Sequence, residues 1–159
     1  MSAIMRCLMA LAMLSACAPK PAQVVSFRDT SRQVYSIAGL DPSRIYGHWV
    51  QVAGFGAPCG GGTMEIGPTT QYALCLANGV KTGVGPMTAT LPGRFDLPGL
   101  GPFWVLWADA DDRTLVIGAP SGGYGFVLNR QAVIPADRLK AARDILQFNG
   151  YDVAKLYVY

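Results

Sequence analysis

From Gly47 onward, apolar residues come in short runs, most of them cut off by glycine or proline. The chain holds 19 glycines and 11 prolines, residue types that a helix interior tolerates poorly. Short strands and tight turns remain. The runs are His48 to Phe55, Thr63 to Ile66, Gln71 to Leu76, Pro86 to Leu91, Arg94 to Leu97, Phe103 to Ala108, Thr114 to Gly118 and Tyr124 to Arg130. Their spacing predicts eight strands joined as antiparallel hairpins. Asn78-Gly79 and Asp111-Asp112 stand where hairpin turns are needed. One helical pattern follows: Pro135 suits a first turn, Leu139, Ala142, Ile145 and Leu146 form an apolar stripe, and Gly150 supplies the stop. Val153 to Tyr159 alternates as a returning strand does. The fold class expected is all-β, an eight-stranded antiparallel up-and-down β-barrel with one C-terminal helix packed outside and a short strand after it. Closure removes exposed sheet edges. Such a barrel is either filled by its own side chains or holds one small ligand.

The N-terminus has a different character. Met1 to Arg6 carries one positive charge, Cys7 to Leu14 is apolar, and Leu14-Ser15-Ala16-Cys17 ends in small residues before a cysteine. That is the pattern of a cleaved export signal, and the apolar run falls well short of the roughly 20 residues that span a bilayer. Leu-Ser-Ala-Cys resembles the lipobox of bacterial lipoproteins, which implies cleavage before Cys17 and acylation of its thiol. The expected organisation is a signal peptide over 1–16, a tether over 17–26 and one domain over 27–159. Phe27 to Tyr46 lacks periodicity and is expected to lie across the domain surface. Ala18, where an Asp would mark inner-membrane retention in many such lipoproteins, implies an outer-membrane anchor facing the periplasm.

Composition excludes several function classes. Charged residues make up 14% of the chain and the net charge is +3 with no basic run, so nothing points to nucleic acid. His48 is the one histidine, and strand alternation turns it outward from Trp49. Asp109, Asp111 and Asp112 lack EF-hand spacing. Gly60-Gly61-Gly62 precedes no helical pattern, so it is read as a flexible loop rather than a phosphate loop. No catalytic constellation, metal site or cofactor is expected. Cys59 and Cys75 form a candidate disulfide in an oxidising compartment, the other reading being a reactive thiol.

Tyr46-Gly47-His48-Trp49-Val50-Gln51-Val52-Ala53 resembles the first signature of the lipocalins, in which Gly-x-Trp opens the first strand. Val105 to Asp112, continuing through Leu115 to Pro120, resembles the second, and Tyr124-Gly125-Phe126-Val127-Leu128-Asn129-Arg130 the third. The helix and Gly150 to Leu156 resemble the C-terminus of the bacterial lipocalins, which are outer-membrane lipoproteins. The resemblance covers roughly residues 41 to 159. It implies that Gly47, Trp49 and Arg130 build the barrel floor, with Arg130 across the Trp49 indole. Alternation from Trp49 turns Gln51 and Ala53 inward, and counting back from Arg130 turns Leu128, Phe126 and Tyr124 inward. The second signature implies that Trp104 and Leu106 also face the cavity. These seven are the candidate ligand-binding residues, for a fatty acid such as palmitate or a lysophospholipid carried in the cell envelope. The alternative is a filled barrel whose outer surface meets another protein. The sequence departs from the pattern twice: Asp112 stands where the second signature usually has Tyr, and the glycine-rich stretch from Cys59 to Leu97 is compressed, predicting short early strands and a shallow cavity.

Overall fold

The computed structural model describes residues 25–56 and 59–159. The expected signal, Cys17 and all of the tether before Val25 lie outside the described residues. The strands are β1 (Gly47–Phe55), β2 (Gly62–Ile66), β3 (Thr69–Leu76), β4 (Gly79–Pro86), β5 (Thr88–Leu91), β6 (Arg94–Leu97), β7 (Gly101–Ala108), β8 (Thr114–Gly118), β9 (Gly125–Asn129) and β10 (Leu156–Val158), with one helix, α1 (Ala136–Phe148), between β9 and β10. All neighbouring strands are antiparallel, in the order β4-β3-β2-β1-β9-β8-β7-β6-β5, and β10 pairs with the upper part of β1. The order ends on β4 and β5, which are separated in the chain by Met87 alone, so the backbone itself joins the two edges of a nearly closed barrel.

Nine strands, not eight, form this barrel among the described residues. The difference is β4, whose sequence Gly-Val-Lys-Thr-Gly-Val-Gly-Pro has no buried residue and so carries no apolar alternation. It exists because β3 templates it through eight paired positions, from Thr69 opposite Pro86 to Leu76 opposite Gly79. Asn78-Gly79 closes that hairpin, with Gly79 at φ +97°. The early strands are therefore not uniformly short, since β3 and β4 each run eight residues.

Two apolar layers pack on the two faces of the sheet. Inside the barrel, Trp49, Leu74, Phe103, Leu115, Phe126 and Leu128 have no exposed surface. Outside, Leu106, Val116 and Val127 receive Ala142 and Leu146 of α1. Pro135 is the residue before the helix rather than inside it.

The floor is knotted around Trp49. Its Nε1 donates to the Ile45 carbonyl at 2.8 Å, and the Arg130 guanidinium lies over its ring at 3.7 Å from the centroid. Arg130 also donates to the carbonyls of His48, Arg44 and Asp112. A Cβ on Gly47, at φ +105°, would stand 3.2 Å from Arg130 Nη1, which explains the glycine. Among the described residues Asp112 is the one non-glycine with positive φ, 53°, a conformation that Asp tolerates better than most residues. Its carboxylate pairs with Arg44 Nε at 2.8 Å, so the departure from the signature adds a tie to the floor.

Residues 27–45 do more than cross the surface. Ile37, Leu40 and Ile45 pack against the interior cluster, and Ile37 N donates to Val105 O at 2.9 Å beside β7. The segment also ends the helix. Arg28 Nε donates to Asn149 O at 3.0 Å, and Arg32 reaches the carbonyls of Gln147 and Phe148. These carbonyls close the C-terminal end of α1, where positive charge is favoured. Phe27, Phe55 and Tyr151 then stack in series, with centroids 5.5 and 5.2 Å apart. Gly118 and Gly125 face each other across β8 and β9 because a Cβ on either would strike the Tyr151 ring or hydroxyl.

Trp49→Ala is expected to cost about 3–5 kcal/mol, the usual range for emptying a large aromatic site, read as a lowered denaturation midpoint; an unchanged midpoint would remove Trp49 from the floor. Burial pushes the Tyr151 phenol up to about 12. Folded Tyr151 thus holds its proton where unfolded Tyr151, with an ordinary value near 10, has lost it. The contribution of Tyr151 to stability is expected to be level below about pH 10 and to fall by about 1.4 kcal/mol per pH unit up to about pH 12. Tyr151→Phe, less stable at neutral pH, should show a shallower alkaline fall in denaturant titrations.

Candidate ligand-binding site

The barrel interior divides the candidate residues. Phe126 and Leu128 face inward within the interior cluster. Tyr124 packs against that cluster at the upper end, with its ring 6.0 Å from Phe126. Trp104, Leu106 and Ala53 do not line the interior. Leu106 and Ala53 belong to the layer beneath α1, and Trp104 packs against that layer with the Arg94 guanidinium 3.9 Å from its ring centroid. Two local causes account for this. In β1 the register with β9 shifts between Gln51 and Ala53, and this irregularity breaks the alternation counted from Trp49. In β7 both faces are apolar, because α1 covers the outer one, so the residues alone leave the parity open. Phe103 and Val105 are the inward pair.

The missed interior residues had a readable signal. In β6 the pattern Arg94-Phe95-Asp96-Leu97 alternates cleanly, so Phe95 and Leu97 must face inward. Phe95 pairs with Phe103 across β7, which carries the parity over.

Gln51 is inward and buried, but its amide is fully engaged. Nε2 donates to Cys75 O at 2.8 Å, and Oε1 accepts from Cys75 N at 2.7 Å. Strand β2 pairs with β1 only as far as Gln51 opposite Gly62, and among the described residues no strand stands between β1 and β3 above that level. The Gln51 side chain supplies the missing rung. Cys75 is also disulfide-bonded to Cys59, with Cα atoms 5.8 Å apart, so the β1–β2 connection is fastened to β3 at the same height.

The mouth lies at the upper ends of β1, β3, β7 and β9. Tyr72 Oη donates to Pro98 O at 2.7 Å, and Tyr124 Oη donates to the carbonyls of Pro102 and Leu100. Two phenols thereby draw the β6–β7 connection across the barrel end. Burial raises both phenols above the usual tyrosine range. A cleft of about 410 Å³ remains between the β3–β4 hairpin tip, from Leu76 to Thr82, and Gly123. His48 is exposed on the outer face, its Nδ1 3.4 Å from Glu65. Asp109 Oδ1 accepts from the backbone N–H of Arg113 and Thr114, so it serves the turn. Among the described residues no group of three or more His, Cys, Asp or Glu side chains could hold a metal.

Comparison with known proteins agrees with this architecture. The family model described as a lipocalin-like domain matches residues 76–159, more than half of the chain. Temperature-induced lipocalin-1 of Arabidopsis thaliana is 34% identical over 61 residues, which are 38% of this chain and 33% of that protein. The match thus spans about a third of the length of that relative. Among solved structures, the cockroach allergen Per a 4 superposes with a TM-score of 0.56 at 11% identity, covering 75% of this chain and 87% of the allergen. Insecticyanin from the tobacco hornworm Manduca sexta gives 0.55 at 14%, covering 79% and 83%. The siderocalin Ex-FABP, described as functioning through dual ligand specificities, gives 0.53 at 14%, covering 72% and 93%. At these identities the structural likeness speaks to the fold alone.

Gln51→Ala is expected to cost about 1–3 kcal/mol, because it removes two buried hydrogen bonds to the Cys75 backbone, each worth about 0.5–1.5 kcal/mol net. Amide exchange at Cys75 should accelerate in the variant. Unchanged exchange there would show that the side-chain rung does not hold the upper barrel.

Proposed function

The chain belongs to the lipocalin-like family, whose members generally bind small hydrophobic ligands, and from that membership we propose that it binds or carries one acyl-chain ligand, a fatty acid such as palmitate or a lysophospholipid, as a lipid-anchored protein of the cell envelope. The observation that carries this reading is the lining. The inward wall above Trp49 is aliphatic and aromatic, built from Leu74, Phe95, Phe103, Ile117, Phe126 and Leu128. Its one buried amide, Gln51, is consumed by the Cys75 backbone. A wall of this kind suits an apolar tail and leaves a polar headgroup to the mouth. Lys81 at the hairpin tip offers a cation there. The wall is packed, so a tail enters only where side chains rotate away and the connection held by Tyr72 and Tyr124 lifts.

Anchoring rests on Cys17 and the small residues before it, with the outer membrane as the expected site because Ala18 follows. The role proposed is binding rather than catalysis. A second reading is favoured by one specific fact: Trp49, Leu74, Phe103, Leu115, Phe126 and Leu128 have no accessible surface at all. A barrel that stays filled in this way would be a structural envelope protein that meets a protein partner through its outer face.

Uptake separates the two readings. Under the first, the purified chain binds a fluorescent fatty acid in the micromolar range, and Leu76→Trp at the cleft weakens uptake at least tenfold while the fold is retained. Native mass spectrometry of protein prepared without delipidation should show an acyl mass. No uptake at tens of micromolar, together with no co-purifying acyl mass, would overturn the ligand reading and leave the filled barrel.

A further inference from the structure

The hydrogen bonds that hold Phe27 and Arg28 fix a direction. Phe27 N donates to Gly122 O at 2.8 Å, and Arg28 Nη1 donates to Pro120 O at 2.7 Å. Both acceptors lie in the β8–β9 connection, on the mouth end of the barrel. The Phe27–Phe55–Tyr151 stack fastens the same segment to the top of β1. The chain leading back toward Cys17 therefore departs from the mouth and not from the floor.

Length restricts what that chain can reach. Seven residues lie between Cys17 and Val25, and the eight steps along the chain span at most about 29 Å when fully extended. β1 has nine residues, which with strand tilt makes the barrel about 25 Å tall. A barrel standing floor-down on the membrane would hold Val25 at nearly the full reach of this segment. Mouth-down, the distance to be spanned is well within that limit.

Charge distribution selects the same end. The mouth connections, residues 59–61, 77–78, 98–100 and 119–124, contain no carboxylate; the nearest are Asp96, at the upper end of β6, and Asp152 beside Phe27, which pairs with Lys155 at 3.1 Å. At their rim stand Val80, which is 61% exposed, and Lys81. The floor carries Asp41, Glu65, Asp109, Asp111 and Asp112, partly offset by Arg44, Arg113 and Arg130. An anionic surface would repel those carboxylates and accept an apolar rim with a cation.

The geometry points to the barrel mouth, at the β3–β4 hairpin tip of Val80 and Lys81 together with the β8–β9 connection, as a contact surface for the lipid bilayer in which Cys17 is anchored. This rests on the reading of Cys17 as an acylated residue. The contact would place the cleft beside Leu76 against the headgroups, so that an acyl ligand would pass between bilayer and barrel without crossing water.

The test uses the full chain, expressed with its own N-terminus in a Gram-negative host, purified from membranes and reconstituted into phosphatidylethanolamine/phosphatidylglycerol vesicles. Intact mass reads acylation at Cys17, and hydrogen exchange compares the vesicle-bound chain with the same chain in detergent. Expected is acylated protein in which amides of residues 77–82 and 121–123 exchange at least tenfold more slowly on vesicles, while the floor turn, residues 109–113, is unchanged. A Val80→Asp, Lys81→Glu variant should stay anchored and lose that protection. Acylated protein with no protection at the rim, or with protection at the floor turn instead, overturns the mouth-down contact and leaves the anchor standing. Protein without an acyl mass overturns the anchor, and the contact with it.

Discussion

The stack of Arg130 over Trp49 is the constraint on which the rest of the barrel depends. An indole wholly out of water closes one end of the sheet, and a guanidinium over its face contributes about 0.5–2 kcal/mol depending on desolvation. The same guanidinium gathers carbonyls from three separate places in the chain, at Arg44, His48 and Asp112. First strand, last barrel strand and the β7–β8 turn thus meet at one side chain. Gly47 is part of the device because any side chain there would crowd Arg130. With that end closed, other polar contacts can act at the mouth.

At the mouth the sheet is mended rather than merely paired. Strand β2 pairs with β1 no higher than Gly62, and the Gln51 amide and the Cys59–Cys75 disulfide hold β1 and the β1–β2 connection to β3 above that level. Tyr72 and Tyr124 hold the β6–β7 connection from the opposite wall. These contacts are few and discrete, whereas the lower barrel is continuous apolar packing. A protein that admits a ligand has to yield somewhere, and local opening begins where buried contacts are sparse. Under the proposed ligand binding, the mouth is therefore the end that would open.

The N-terminal segment links this asymmetry to position. Arg28 and Arg32 satisfy the terminal carbonyls of α1, Phe27 enters the aromatic stack, and Ile37 lies against β7. The same segment therefore stabilises the helix, completes the wall and sets the side from which the chain leaves the domain.

Short apolar runs between glycines and prolines determined an all-β meander with one outer helix, because residue type limits backbone conformation locally. The Gly-x-Trp and the Arg130 position marked the floor, since a buried indole and a glycine beside it are legible in order and spacing. Phe126 and Leu128 were legible for the same reason, lying an even number of residues from Arg130. Tertiary structure decided the rest. β4 has no apolar alternation and exists only because β3 pairs with it. Ala53 faces outward because a register irregularity shifts β1, and Trp104 and Leu106 do so because a helix covers that face and makes both sides of β7 apolar. Gln51 reads as a pocket residue until the missing rung beside Cys75 is seen. Each of these depends on what lies across a hydrogen bond from a distant part of the chain, which spacing along one strand cannot encode.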